Sequence, residues 1–116
     1  MTTLKIYHNP RCSKSRETLA LLNENASDVE IINYLDTPPS PDELKDILNR
    51  LGIGPRDLLR RKEALYKSLN LDDPTLSDQQ LTDIMSQNPK LIERPIVIHG
   101  AKAAIGRPPE NVLEIL

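Results

Sequence analysis

Cys12 lies in a polar, basic segment whose residue types suit thiolate chemistry. It is the only cysteine among the 116 residues, and His8, Arg11, Lys14 and Arg16 place positive or potentially positive charge around it. The thiolate is the nucleophilic form of cysteine, and nearby positive charge favours it over the thiol. The alternative is an inert cysteine that packs as a small apolar side chain. The polar neighbours favour the reactive form.

The single cysteine also limits the chemistry. It excludes an intramolecular disulfide and a zinc site built on several cysteines, and His8 and His99 are too far apart in sequence to suggest another metal site. Ser15 stands where a Cys-x-x-Cys pair would have its second cysteine, so a dithiol mechanism within the chain is excluded. A second thiol must come from outside, and we expect glutathione as a co-substrate with no bound cofactor and no metal.

The elements on either side of Cys12 predict that it lies between a strand and a helix. Apolar residues alternate from Leu4 to Tyr7, Ser13–Asn25 has helical spacing, and Val29–Leu35 is a β-branched run. Such a unit is usually parallel and right-handed. A strand-to-helix loop gathers backbone N–H groups and the positive end of a helix, which lower the pKa of a thiol and attract an anion.

The sequence pattern of residues 40–88 predicts helices and no strand. Ser40 with Glu43 and Ser77 with Gln80 have the spacing of capping boxes, and each precedes an amphipathic stretch. Strand patterns return at Pro95–His99 and Ala103–Gly106, and a last helix is expected from Pro108 onward. The fold class is therefore α/β, a mixed sheet in the order βαβ, helical insert, ββα. We expect residues 1–116 to form a single domain, with the insert at about 40–88.

Composition narrows the possible functions. A formal net charge of −2 argues against a globally basic nucleic-acid binder. The beginning of the chain lacks the apolar run of a signal peptide, and no window is long and apolar enough for a transmembrane helix. We expect a cytoplasmic monomer with neither nucleic-acid nor membrane partners.

Five stretches carry a family resemblance over essentially the whole chain: IYHNPRCSKSR, YLDTPPSPDEL, LLRRK, ERPIVI and IGRPPENVLEIL. In this order they resemble the ArsC-type arsenate reductases of the glutaredoxin-dependent class, and are most similar to the short YfgD-like branch. The resemblance implies a thioredoxin-like fold with a helical insert. It also implies the reduction of arsenate to arsenite, with glutathione and a glutaredoxin as partners.

The resemblance also implies roles for individual residues. Cys12 matches the family's nucleophile, and His8 matches a histidine that helps to keep the cysteine ionised. The oxyanion-binding arginines match Arg60, Arg94 and Arg107; Arg61 adjoins the first, but the motif favours Arg60. Asn9, Ser15, Arg16 and Pro95 match residues that support the loop. The Arg94–Pro95 bond matches a peptide that is cis in thioredoxin-like folds.

Two alternatives stay open. One is another glutathione-linked thiol oxidoreductase that uses Cys12, since Arg11 and Lys14 make the loop more basic than is usual in arsenate reductases. The other is a regulatory binding protein like Spx, a relative of the same fold that contacts RNA polymerase. Spx-like proteins usually have a Cys-x-x-Cys switch, which is missing here.

Overall fold

The computed structural model describes residues 4–26 and 28–116. Two compact units make up the chain. The first contains the residues up to Thr37 together with Arg94–Leu116, and the second is Pro38–Glu93. That the whole chain forms one domain stays a prediction.

The first unit is built on a four-stranded mixed sheet. Its elements are β1 (Leu4–His8), α1 (Ser13–Asn25), β2 (Val29–Asn33), β3 (Ile96–His99), β4 (Lys102–Ile105) and a 3₁₀-helix (Pro109–Ile115). The strand order is β2-β1-β3-β4. β1 pairs in parallel with β2, whereas the β1–β3 and β3–β4 pairs are antiparallel. The predicted βαβ and ββ arrangement is thus confirmed, and the loop after β1 lies at the carboxyl end of a parallel pair.

An aliphatic core holds α1 and the last helix against one face of this sheet. Its buried members come from β1, α1, β3 and the last helix: Leu4, Ile6, Leu22, Val97 and Val112. Full burial of one such side chain contributes about 1.5–3 kcal/mol. The core therefore fixes α1, through Leu22 near its carboxyl end, relative to β1 and β3.

The last helix differs from the expected α-helix. Pro109–Ile115 is a 3₁₀-helix. Pro108 and Pro109 have no backbone N–H, and the N–H of Asn111 donates to the carbonyl three residues back, on Pro108, at 3.0 Å. The same three-residue spacing recurs at the end, where the N–H of Leu116 donates to Leu113.

β2 is also shorter than the β-branched run suggested. It ends at Asn33 rather than Leu35 because the N–H groups of Asp36 and Thr37 both donate to the carbonyl of Asn33. This turn takes over where the ladder with β1 stops.

The second unit is helical, as predicted for residues 40–88. It contains α2 (Pro41–Leu51), α3 (Pro55–Leu58), α4 (Ala64–Ser68), α5 (Asp78–Gln87) and a short 3₁₀-helix (Pro89–Leu91). Both capping boxes form, with Ser40 accepting from the N–H of Glu43 and Ser77 accepting from that of Gln80. Gly52 ends α2 at φ 70°, a left-handed conformation that favours glycine.

In the part of the chain that the structure describes, no helix is long and apolar enough to cross a membrane.

Candidate active site

A tight turn after β1 presents Cys12 at the beginning of α1. The N–H of Cys12 donates to the carbonyl of Asn9 at 3.0 Å, and the Asn9 side chain accepts from the N–H of Arg11 at 3.0 Å. Arg16 reaches back from α1 to donate to the carbonyl of Pro10. The side chains of Asn9 and Arg16 therefore stabilise the turn by hydrogen bonds to its backbone.

The Cys12 sulfur is buried and surrounded by donors. Burial raises the pKa of the thiol, but the backbone N–H groups of Ser15 and Lys14, in the first turn of α1, oppose that effect. The charge of Arg94 and a hydrogen bond from Arg107, whose Nη1 lies 3.9 Å from Sγ, act in the same direction. The pKa of Cys12 consequently lies below its ordinary value, and the geometry favours the nucleophilic thiolate.

His8 contacts this turn through the side chain of Ser15. It ends β1 and is buried, with Nδ1 2.6 Å from the Ser15 hydroxyl, which also accepts from the N–H of Asn9 at 3.0 Å. Burial, and then the charge of Arg16, lower the pKa of His8 below its ordinary value. The lowered pKa disfavours the charged form of His8, and its role in keeping Cys12 ionised stays a prediction. Its link to Cys12 runs through Ser15, whose own N–H lowers the pKa of the thiol.

Arg94 and Arg107 meet beside the cysteine. Nη1 of Arg107 donates to the backbone carbonyl of Arg94 at 3.3 Å as well as to the Cys12 sulfur. The Arg94–Pro95 peptide bond is cis, as predicted, and Arg107–Pro108 is cis too, which the sequence did not indicate. Two guanidinium groups near one thiolate make an electropositive site that suits an anionic substrate.

Arg60 lies in the second unit. Its guanidinium donates to Glu63 at 3.1 Å and to the carbonyl of Lys90 at 3.5 Å. Arg61, the neighbouring candidate, is exposed. Sequence reasoning did not single out Glu63, although an Arg-x-x-Glu spacing could have indicated the ion pair. The role of Arg60 on an oxyanion stays a prediction.

Two contributions to the site were missed in the sequence. Lys14 was singled out for its charge, but its ammonium pairs with Glu17 at 3.7 Å. It is the backbone N–H of Lys14 that lowers the pKa of the Cys12 thiol. A residue in the first turn of a helix has a free N–H, so its position was the better signal. Thr18 is fully buried and contacts Gly106, and no local pattern indicates this contact.

Within residues 4–26 and 28–116, no group of three or more His, Cys, Asp or Glu side chains is arranged to hold a metal ion. The chemistry that the described residues offer is that of one thiolate among hydrogen-bond donors and two arginines.

Comparison with known proteins places this site in a family. The sequence model of the ArsC family matches residues 7–115. The chain is 58% identical to the protein YfgD of Escherichia coli, covering 97% of this chain and 96% of that one. It is 56% identical to an arsenate reductase of Haemophilus influenzae, covering 96% and 97%.

A solved structure gives the same answer for the fold. An arsenate reductase from Vibrio cholerae superimposes with a TM-score of 0.96 at 54% identity, covering 99% of this chain and 98% of that one. The thioredoxin-like architecture expected from the motifs is thus confirmed. The chain belongs to the ArsC family.

Proposed function

We propose that the protein is an arsenate reductase that reduces arsenate to arsenite with glutathione and a glutaredoxin. The observation that carries the proposal is the position of the Cys12 sulfur, which belongs to the N-cap residue of α1 and lies 3.9 Å from Nη1 of Arg107. A thiolate beside a cationic oxyanion site suits nucleophilic attack on arsenate. Relatives that are named arsenate reductases and match over nearly the full length support the choice of oxyanion.

The first step joins the Cys12 sulfur to arsenic. An S–As bond forms, one As–O bond breaks, and that oxygen leaves as water after taking up protons, so arsenic stays pentavalent. Arg94 and Arg107 offset the charge of the oxyanion, and Arg60 is proposed as a third arginine because it matches the family motif. The protein's contribution is to position the anion and to stabilise charge around one thiolate.

The reduction then uses an external thiol. The glutathione sulfur bonds to the Cys12 sulfur, the S–As bond breaks, and its electron pair stays on arsenic, which becomes trivalent and leaves as arsenite. Cys12 is left in a mixed disulfide with glutathione. A glutaredoxin thiol removes the glutathione and returns Cys12 to the thiol form. The proposed compartment is the cytoplasm, which keeps thiols reduced, and the protein acts there as a monomer.

The test is arsenate-dependent oxidation of NADPH, coupled through glutathione reductase, glutathione and a glutaredoxin. We expect Cys12→Ser to abolish turnover. Full activity in that variant would exclude the mechanism. Turnover by the wild type of another oxidant, with none on arsenate, would select a different glutathione-linked thiol enzyme.

A matched pair of variants tests the third arginine. Arg60→Ala should raise the KM for arsenate, whereas Arg61→Ala, which removes the same charge one residue away, should leave it nearly unchanged. The reverse result would assign the role to Arg61, and equal small effects would remove both from the proposal.

A further inference from the structure

Gly106 lies at the end of β4 in a space that has no room for a side chain. Its N–H donates to the carbonyl of Pro95 at 3.0 Å. A Cβ on Gly106 would lie 2.5 Å from Thr18 Oγ1 and 2.9 Å from Pro95 Cγ. The first distance is about 1 Å short of ordinary van der Waals contact. Thr18 and Pro95 are both buried, so neither side chain can move out into solvent without unpacking.

Thr18 connects this close contact to the turn that holds the cysteine. The single hydrogen of its hydroxyl is shared between two carbonyls in a three-centre bond, that of Lys14 at 2.7 Å and that of Gly106 at 3.4 Å. Lys14 belongs to the first turn of α1, whose N–H groups lower the pKa of the Cys12 thiol. One buried hydroxyl therefore bridges the cysteine-holding turn and the end of β4.

Arg107 is the next residue in the chain, so the backbone of Gly106 sets where its side chain starts. The N–H of Arg107 donates to the carbonyl of Ile105 at 2.9 Å, and its Nη1 reaches both Cys12 Sγ and the carbonyl of Arg94. A displacement of about 1 Å at Gly106 is large relative to the tolerance of a catalytic arrangement, in which such a shift costs up to about a hundredfold in rate.

We propose that Gly106 and Thr18 are positioning residues that fix Arg107 beside the Cys12 sulfur: the missing side chain of Gly106 lets β4 approach α1, and the Thr18 hydroxyl holds the two together. The part of this inference that concerns turnover rests on the proposed arsenate reductase function. The part that concerns Cys12 does not, because the reactivity of the thiol is measured without arsenate.

The experiment adds one methyl group at Gly106 and measures the cysteine directly. In Gly106→Ala we expect the rate of Cys12 alkylation by iodoacetamide to titrate at a higher pH than in the wild type. We expect kcat/KM for arsenate to fall by about tenfold to a hundredfold. Gly54→Ala is the matched control, because no described atom lies within 4 Å of where its Cβ would be. It should leave both measurements unchanged.

A second substitution tests whether space is the cause. Thr18→Ala removes the two Thr18 atoms nearest to the added methyl, so Thr18→Ala/Gly106→Ala should recover part of the loss seen in Gly106→Ala. Such non-additivity is expected only for residues in contact. A double variant that loses the product of the two single losses would overturn the positioning role.

The remaining outcomes are also decisive. A folded Gly106→Ala with wild-type alkylation and wild-type kcat/KM would overturn the inference. If Gly106→Ala does not fold, Thr18→Val decides, since it keeps the shape and loses the hydroxyl; an unchanged alkylation profile there would overturn the inference. If the wild type does not reduce arsenate, the proposed function fails, while a shifted alkylation profile in Gly106→Ala still supports the positioning role.

Discussion

The N-termini of α1 and α5 differ in the side chain that stands at the N-cap, a cysteine at α1 and a serine at α5. α5 begins at Ser77, whose hydroxyl accepts from the N–H of Gln80, and it has Asp78 in its first turn. The N-cap of α1 is Cys12, which makes no side-chain capping hydrogen bond, and the first turn has no acidic residue. There the N–H groups of Lys14 and Ser15, in the first turn, lower the pKa of the Cys12 thiol.

This difference separates stability from reactivity. At α5, as at α2 with Ser40 and Glu43, the capping bonds stabilise the helix and do not depend on a thiol. At α1 the same kind of donor favours the thiolate over the thiol, so its contribution depends on the ionisation of Cys12. A helix with a cysteine at its N-cap and no acidic residue in its first turn therefore favours the anionic form of that cysteine.

Cys12→Ser should remove this difference most completely, because α1 would then begin on a serine as α2 and α5 do. Serine is a good N-cap, so the fold should be retained. Turnover should fall by at least about a thousandfold, because the nucleophile is lost. Circular dichroism and thermal unfolding check the fold, and the coupled assay checks turnover. A variant that is inactive because it is unfolded would contradict the proposed equivalence of the three helix starts.

The same variant should reveal how stability at α1 depends on pH. The pKa of Cys12 is lower in the folded protein than its ordinary value, so its contribution to stability is complete above the unfolded pKa of about 8.5. It is lost as the pH falls through the folded pKa. The free energy of unfolding of the wild type minus that of Cys12→Ser should therefore rise with pH and then level off. Urea unfolding at several pH values measures it.

His8 does not interfere with this comparison. Its pKa is also lowered, so its contribution is present above about 6.5 and is lost at lower pH. Both proteins contain His8, and its effect cancels in the difference. A difference that stays flat from mildly acidic to alkaline pH would contradict the lowered pKa of Cys12.

The serine caps should act on stability alone. Ser77→Ala, which removes the hydroxyl that accepts from the N–H of Gln80, should cost about 1 kcal/mol of unfolding free energy. Ser40→Ala should cost a similar amount at α2. Neither should change the pH at which Cys12 alkylation titrates. A shifted alkylation profile in either variant would show that the caps and the thiol are not independent.

Sequence patterns predicted the local features of this molecule well. The Ser40–Glu43 and Ser77–Gln80 boxes are read from four consecutive residues, and α1 has the predicted bounds because its signals are local. The motifs also placed Cys12 in a strand-to-helix turn. In each of these cases the interacting groups are close in sequence.

Features that depend on distant residues were not predictable in this way. The Thr18–Gly106 contact joins residues 88 apart, and the Arg107–Cys12 contact joins residues 95 apart. The lowered pKa of His8 follows mainly from its burial, which composition does not reveal. The 3₁₀ form of the last helix depends on which carbonyl the N–H of Asn111 meets.

The smallest expected effect comes from giving α1 the acidic first turn that α2 and α5 have. Ser13 is exposed at the first position of α1, so Ser13→Glu adds a negative charge with little effect on packing. The negative charge should stabilise the helix by interacting with the positive end of its dipole. It should also disfavour the nearby thiolate of Cys12. Cys12 alkylation at neutral pH should slow roughly two- to fivefold, which corresponds to the 0.3–1 kcal/mol of a charge at a helix end.

Two controls isolate the position of that charge. Ser13→Gln has nearly the same size without the charge and should alkylate like the wild type. Asn23→Asp places the charge about 15 Å farther along α1 and should also have little effect, because the interaction falls off beyond the first turn. Equal slowing in Ser13→Glu and Asn23→Asp would mean that net charge, rather than the end of the helix, governs the thiolate. Slowing confined to Ser13→Glu would show that the absence of acids at the start of α1 is what keeps Cys12 reactive.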